Sequence, residues 1–409
     1  MLSASLSQCL VELEAIGSTQ VLVELPEESP GKTKATGKSL SGVFSAGKES
    51  QQGALASSHG KNPGPPYRIF PKLGVMLGTV DTAGFKELTE NGGKLGASRV
   101  YGTPAFSLIK PSMIVPAASP TTKLTWGLKA MGVDLLWKEG LTGKGVRVAH
   151  LDTGLDGNHP ALQGAVGAFA EFDMMGTLMK PAPAAWDSAE HGTHTAATIA
   201  GRPVRGKHVG VAPGALLASA LCIEGGQTLA RVLGALEWSL DQKVKVLSMS
   251  LGFRGYTEYF LRIVRILRAN GILPIIASGN EGAGTSRSPG NYVESLSVGA
   301  LNASRRIADF SSSQEFARTK DRLVPDLAGP GVGILSAKPR TKRYQKMDGT
   351  SMSTPHIAGL AALLFEARPK ATVDQVEAAI RGAAGPLKPA DQGRATAGLP
   401  DAALALKLL

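Results

Sequence analysis

The hydrophobic pattern of this chain changes character near Leu124. Beyond that point short, nearly continuous apolar runs recur: VRVAHLD (146–152), ALLASALCI (215–223), VKVLSMSL (244–251), ILPIIAS (272–278) and ESLSVGAL (294–301). Runs of this kind suit parallel strands buried on both faces. Between them lie segments of helical spacing, TLARVLGALEWSLDQ (228–242) and YTEYFLRIVRILRANG (256–271). The alternation predicts an α/β domain over 124–409, a doubly wound, mostly parallel sheet with helices on both faces. In such sheets reactive groups gather at the carboxyl ends of strands.

Upstream the pattern is weaker. QVLVELP (20–26) alternates like a short strand, TAGFKELTENG reads as a helix, and SRVYG and AFSLI read as strands. These predict a small α+β domain over 1–109. The stretch from Glu27 to Pro66 is polar and rich in Gly, Ser, Lys and Pro, so a disordered insertion is expected at about 27–66. KPSMIVPAASPTTK (110–123) reads as a linker.

Composition narrows the function classes. A hydrophobic fraction of 43% supports a substantial core, and 50 glycines suit many tight strand-to-helix turns. The formal charge of +11 is spread without a dense basic run among aromatics, so no nucleic-acid partner is expected. Cys9 and Cys222 are too few for a disulfide framework. The first residues, MLSASLSQCLVELEAIGS, lack the layout of a secretory signal, and no window spans a membrane. The expected location is cytoplasmic, with no membrane partner.

Four polar motifs fall at predicted strand ends or helix starts. Asp152 closes VRVAHLD, where it could orient a histidine or cap a turn. His191 and His194 in HGTHTAATIAG lie three apart on one helix face, without the Glu of a zinc-binding H-E-x-x-H. Asn280 in SGNEG follows an apolar strand, as either a turn residue or a neutral oxyanion donor. DGTSMSTPH (348–356) offers Ser351 and Ser353 before an apolar helix, and Pro355 predicts the helix start at about Ser351–Ser353. Free N–H groups at a helix start favour negative charge.

With DTGLDGNHP, HGTHTAATIAG, SMSLG, ASGNEG and GTSMSTPHIAG in this order, residues 124–409 resemble the subtilase family of serine endopeptidases. The Asp, His, Ser order is that of subtilisin. The resemblance implies that Asp152 is the orienting acid, His191 the general base, Ser351 the nucleophile and Asn280 the oxyanion donor, with His194 packing. Losing one oxyanion donor costs about 3–4 kcal/mol, a magnitude measured in a subtilisin. It also implies that Ser250, Leu251 and Gly252 pair with an extended peptide substrate, and that the N-terminal domain is an inhibitory propeptide removed by cleavage in 110–123. No organic cofactor is implied. Ala161 follows HP where the family often places a calcium-binding carboxylate, so that metal site is expected to be missing. Two alternatives stand beside this reading: a non-catalytic peptide-binding relative, and a metal-dependent hydrolase using His191, His194 and His159.

Overall fold

Residues 4–27, 40–44, 66–103, 105–117, 119–224 and 228–409 are described by a computed structural model. Contacts divide the chain into Met1–Ala105 with Met174–Gly176, and Phe106–Asp173 with Thr177–Leu409.

In the first unit the alternating run anticipated at 20–26 forms β1 (Ser18–Glu24), preceded by helix α1 (Ala4–Ile16). With β2 (Tyr67–Phe70), β3 (Val75–Asp81) and β4 (Arg99–Gly102) it builds an antiparallel sheet in the order β2-β3-β1-β4. Helix α2 (Thr82–Leu95) starts where the Asp81 carboxylate accepts the Gly84 N–H at 2.8 Å, the usual N-cap arrangement. Most of the insertion expected to be disordered lies outside the described residues. Its described part, 40–44, buries Leu40 and Phe44 in the core with Val21, Val23 and Phe85.

The second unit opens with β5 (Ser107–Leu108), β6 (Met113–Ala117), α3 (Trp126–Met131) and α4 (Val133–Lys138). The apolar runs then become β7 (Arg147–Asp152), β8 (Val166–Glu171), β9 (Leu216–Leu221), β10 (Val246–Met249), β12 (Leu273–Ala277) and β14 (Leu296–Leu301). Strand β11 (Leu251–Arg254) follows β10 after Ser250, and β13 (Arg287–Ser288), β15 (Gln314–Glu315), β16 (Leu323–Val324) and β17 (Leu327–Pro330) complete this region. Seven strands pair in the order β17-β14-β12-β10-β7-β9-β8, and every pairing is parallel. From β7 the chain goes first to the edge strand β8, returns to β9 between them, then crosses over to β10 on the other side. At such a switch in direction, here beyond the carboxyl ends of β7 and β10, sheets of this kind bind their ligands.

Helices α5 (His191–Ala200), α6 (Thr228–Asp241), α7 (Leu261–Ala269), α8 (Thr350–Ala367), α9 (Val373–Gly382) and α10 (Ala402–Leu408) cover the sheet. Helix α8 is buried from Thr350 to Phe365 and packs on β10, β12, β14, β17 and α5. From Ile357 to Phe365 it is uniformly apolar, as an enclosed helix requires, while its buried first turns carry polar side chains. It begins at Thr350 rather than at Ser351–Ser353, and Pro355 lies inside it. The missing proline N–H forfeits only the bond to the Ser351 carbonyl, and burial carries the helix through. The stretch read as a linker contains β6, which pairs with β19 (Tyr344–Asp348), itself paired with β18 (Ile334–Ala337). Among the described residues no helix is long and apolar enough to cross a membrane.

Burial holds the His356 imidazole of α8 down to about 4, although its Nδ1 bond to the Met352 carbonyl at 2.8 Å opposes the shift. Below pH 6.5 the unfolded chain takes up a proton here that the folded chain refuses, so stability falls with pH until the folded value is reached. Unfolding by urea at pH 7 and pH 4.5 should show the gap between wild type and His356→Gln narrowing by about 2 kcal/mol. Parallel behaviour of the two proteins would mean that His356 titrates as freely in the fold as outside it.

Candidate active site

Strand β7 and helix α5 face each other, and their periodicities select which side chains meet. Along β7, His150 and Asp152 point to the same face because they are two apart. On α5, His191 and Thr195 are four apart and also share a face. The first residue of the helix, His191, donates from Nδ1 to the Asp152 carboxylate at 2.7 Å and 2.9 Å. Both groups are buried. Burial alone would push the Asp152 carboxyl up. The charge and hydrogen bond of His191, then His150 and the Thr153 amide, bring it below the ordinary carboxylate value.

The approach of α5 to the loop after β7 depends on glycine. A Cβ at Gly192 would lie 1.9 Å from the Gly154 carbonyl oxygen, so no side chain fits there. Asp187, which the sequence reading passed over, fixes the same junction. Its carboxylate accepts the Thr153 hydroxyl at 2.7 Å and the Thr193 N–H at 2.7 Å, joining the strand end to the first turn of α5. An acidic residue four positions before the first helical residue was the signal, since carboxylates favour helix N-termini.

Asn280 follows β12, and its orientation is set by α8. The Thr350 N–H and hydroxyl each donate to Asn280 Oδ1 at 2.9 Å, which turns Nδ2 away from the helix. Nδ2 donates to the Lys110 carbonyl at 2.8 Å. Ser351, second residue of α8, is fully buried, and its hydroxyl lies 3.6 Å from the Met352 sulfur. It makes no hydrogen bond to His191, whose buried Nε2 has no partner. A Cβ on Gly349 would sit 3.0 Å from Ser351 Oγ and 3.1 Å from Asn280 Nδ2, so these two polar atoms border one small space that glycine leaves clear. The other serine of the pair, Ser353, donates to the Gly329 carbonyl at 3.1 Å and faces β17 instead.

Ser250, Leu251 and Gly252 are paired, and the partner is the chain's own segment. Leu251 lies opposite Leu108 and Gly252 opposite Ser107 in an antiparallel ladder, and the Ile109 N–H reaches the Ser250 carbonyl at 2.9 Å. After Lys110 the ladder resumes on the far side: the Ser112 N–H donates to Asp348 at 2.8 Å, and β6 runs along β19 from Met113 to Ala117. Phe106 packs edge-on against Phe253 at 4.7 Å and stacks on Phe260 at 5.3 Å between ring centroids.

The remaining histidines do not assemble with His191 as a metal site. His194 Nε2 meets the Ile334 carbonyl at 2.8 Å, and burial holds its ring down to about 3. His159 Nε2 meets the Arg343 carbonyl at 2.9 Å, and its Nδ1 accepts the Ala161 N–H at 3.1 Å. Among the described residues no group of three His, Cys, Asp or Glu is placed to hold a metal ion.

A profile of the Subtilase family matches residues 143–401. The major intracellular serine protease of Bacillus subtilis (strain 168) is 34% identical over 250 residues, covering 59% of this chain and 75% of that protein. An intracellular serine protease of Paenibacillus polymyxa is 35% identical over 267 residues, covering 63% of this chain and 77% of that protein. Subtilisin E of Bacillus subtilis (strain 168) is 28% identical over 367 residues, covering 88% of each chain. On these matches the chain that pairs a buried carboxylate with an imidazole and starts a helix with a serine belongs to the subtilase family and is a serine endopeptidase.

Proposed function

We propose that Asp152, His191 and Ser351 form the catalytic triad of this endopeptidase, with Asn280 as an oxyanion donor. The observation that carries the assignment is the unpartnered, buried His191 Nε2 on an imidazole anchored to Asp152. That nitrogen is the one proton acceptor left free after Nδ1 is committed to the carboxylate. Rotation of the Ser351 hydroxyl away from the Met352 sulfur would bring its proton to Nε2 as Oγ attacks a peptide carbonyl. Asn280 Nδ2 and the Ser351 N–H would hold the resulting oxyanion, and His191 would return the proton to the departing amine. Water then hydrolyses the acyl-enzyme by the same route. Substrate would enter as an extended strand on Ser250, Leu251 and Gly252, with an aromatic or large aliphatic side chain where Phe106 lies against Phe253 and Phe260.

Residues 106–109 occupy that position here, which supports reading residues 1–109 as an inhibitory propeptide-like domain and 110–123 as the region of processing. The alignment with subtilisin E, at 367 residues, is longer than the stretch 124–409 and so reaches into the N-terminal region. A cytoplasmic location is supported by the two relatives named as intracellular.

We further propose that the loop at 200–208 needs no calcium. The Arg202 guanidinium donates to the carbonyls of Ala200, Ala215 and Gly164 at 3.0, 2.9 and 2.6 Å, a set of oxygens that a cation would otherwise satisfy. The Arg202 N–H takes the Ala161 carbonyl at 2.7 Å.

Two experiments test these readings. Wild type should hydrolyse a peptide library and acquire an N-terminus within 110–123, whereas Ser351→Ala should stay full length and lose about six orders of magnitude in kcat, the scale found in a subtilisin. Full activity in Ser351→Ala would overturn the assignment. A chelator should leave the melting temperature unchanged while Arg202→Met lowers it by several degrees, and a chelator-induced fall would point to a metal in that loop.

A further inference from the structure

The triad accounts for one buried histidine at the end of β7, but a second lies two residues earlier. His150 is fully enclosed, and both ring nitrogens are engaged: Nδ1 with the Ser219 hydroxyl of β9 at 2.9 Å, Nε2 with the Thr195 hydroxyl of α5 at 2.8 Å. Thr195 Oγ1 in turn lies 3.1 Å from Asp152 Oδ2. Strand and helix therefore meet in two rungs, Asp152 with His191 and His150 with Thr195, joined by a diagonal from Thr195 back to the carboxylate. The opposite neighbour of His150 on β10 is the neutral Ser248.

A threonine hydroxyl has one proton to give, so the diagonal forms only in one tautomer of His150. If Nε2 carries the proton, it donates to Thr195 Oγ1, and the hydroxyl is free to donate to Asp152 Oδ2 at 3.1 Å; the carbonyls of Gly192 at 3.1 Å and His191 at 3.2 Å compete for the same proton, and the charged carboxylate is the stronger acceptor. If Nδ1 carries it, Thr195 must donate to the ring, and Asp152 loses that donor. The Asp152 carboxylate selects between them: it lies 3.8 Å from Nε2, where a bound proton is attracted. The Ser219 hydroxyl then completes the chain by donating to Nδ1. Every donor in the series Ser219, His150, Thr195 points toward the same carboxylate.

We propose that Ser219, His150 and Thr195 form a directional hydrogen-bond chain that positions Asp152, so that a second histidine, remote from the substrate, sets how strongly the carboxylate holds His191. The proposal rests on the triad reading above. Burial pushes the His150 ring below its ordinary value, which keeps it neutral at physiological pH and preserves the chain, while Asp152 opposes that shift. The other titratable groups facing this ladder are Asp187 before α5, His194 on α5 and Cys222 beyond β9, whose thiol burial pushes up. Without the Thr195 donor the negative charge of Asp152 is less dispersed, the imidazolium of His191 is held more tightly, and its orientation is less constrained.

The test joins spectroscopy to kinetics on the full chain and its processed form. With 15N-labelled histidine, and His150 assigned through His150→Gln, the ring of His150 should report a protonated Nε2 and a bare Nδ1. Thr195→Val should lower kcat on a peptide substrate about tenfold with KM within twofold, and move the acid limb of the kcat/KM profile to higher pH. It should also displace the downfield resonance of the proton between His191 and Asp152. Thr195→Ser, which restores the hydroxyl, should recover most of all three. A protonated Nδ1 on His150 would overturn the proposal, as would Thr195→Val with wild-type kcat, pH profile and resonance. Should Thr195→Val fail to fold, Ser219→Ala serves instead: it removes the outermost donor and should shift the His150 tautomer signals, and unchanged signals would again overturn the chain. Activity surviving in Ser351→Ala would sink the triad reading alone, since the tautomer of His150 is observed without turnover.

Discussion

A carboxylate buried at the end of a parallel strand is the constraint from which most of this structure follows. Withdrawing such a charge from water costs several kcal/mol unless its oxygens are fully supplied with donors. Asp152 is supplied by the Thr153 amide at 2.7 Å, by His191 and by Thr195. Each of these needs a support of its own. His191 has to begin a helix at that spot, Gly192 has to let the helix come close, and Asp187 has to tie the loop to the first turn. Helix α8 closes the other side, and with it come Ser351 and the threonine that orients Asn280.

Much of this was legible in the residues because it follows from periodicity. The apolar runs at 146–152, 215–223, 244–251 and 272–278 became β7, β9, β10 and β12 within a few positions. Asp152, His191, Asn280 and Ser351 fall where strand ends and helix starts were read. What escaped the sequence depends on pairing between distant segments. β6 is a strand only because β19 lies beside it, and MIVPA alone carries no alternation to announce that. The start of α8 was placed too late because proline was weighed by its local penalty, while enclosure of the whole helix outweighed one absent bond.

The polar residues around the Asp152–His191 pair were missed for a related reason. His150 sits inside a run that reads as pure strand core, and Thr195 inside a run that reads as a small-residue helix face. Neither has a sequence neighbour that suggests a partner. Only the crossing of a period-two strand with a period-3.6 helix brings them into register. A buried histidine is easily dismissed as packing, and His194 and His356 show that the dismissal is often right, since each meets a backbone carbonyl. His150 differs in having hydroxyls on both sides and a carboxylate beyond one of them.

The two short strands β5 and β6, joined through Lys110, have a consequence for the substrate-binding edge proposed above. A peptide covalently joined to the protein that binds it is present at an effective concentration on the order of millimolar, whatever the dilution. If Ser250 and Gly252 bind substrate as proposed, a free polypeptide would have to outcompete that local excess before reaching them. One break in the chain turns the occupant into an ordinary ligand governed by bulk concentration. The part beyond the break still has β19 to hold it, through the Met113–Ala117 ladder. The two halves would thus differ in residence time: the upstream piece is free to diffuse away, while the downstream piece stays moored as a permanent edge strand beside β19.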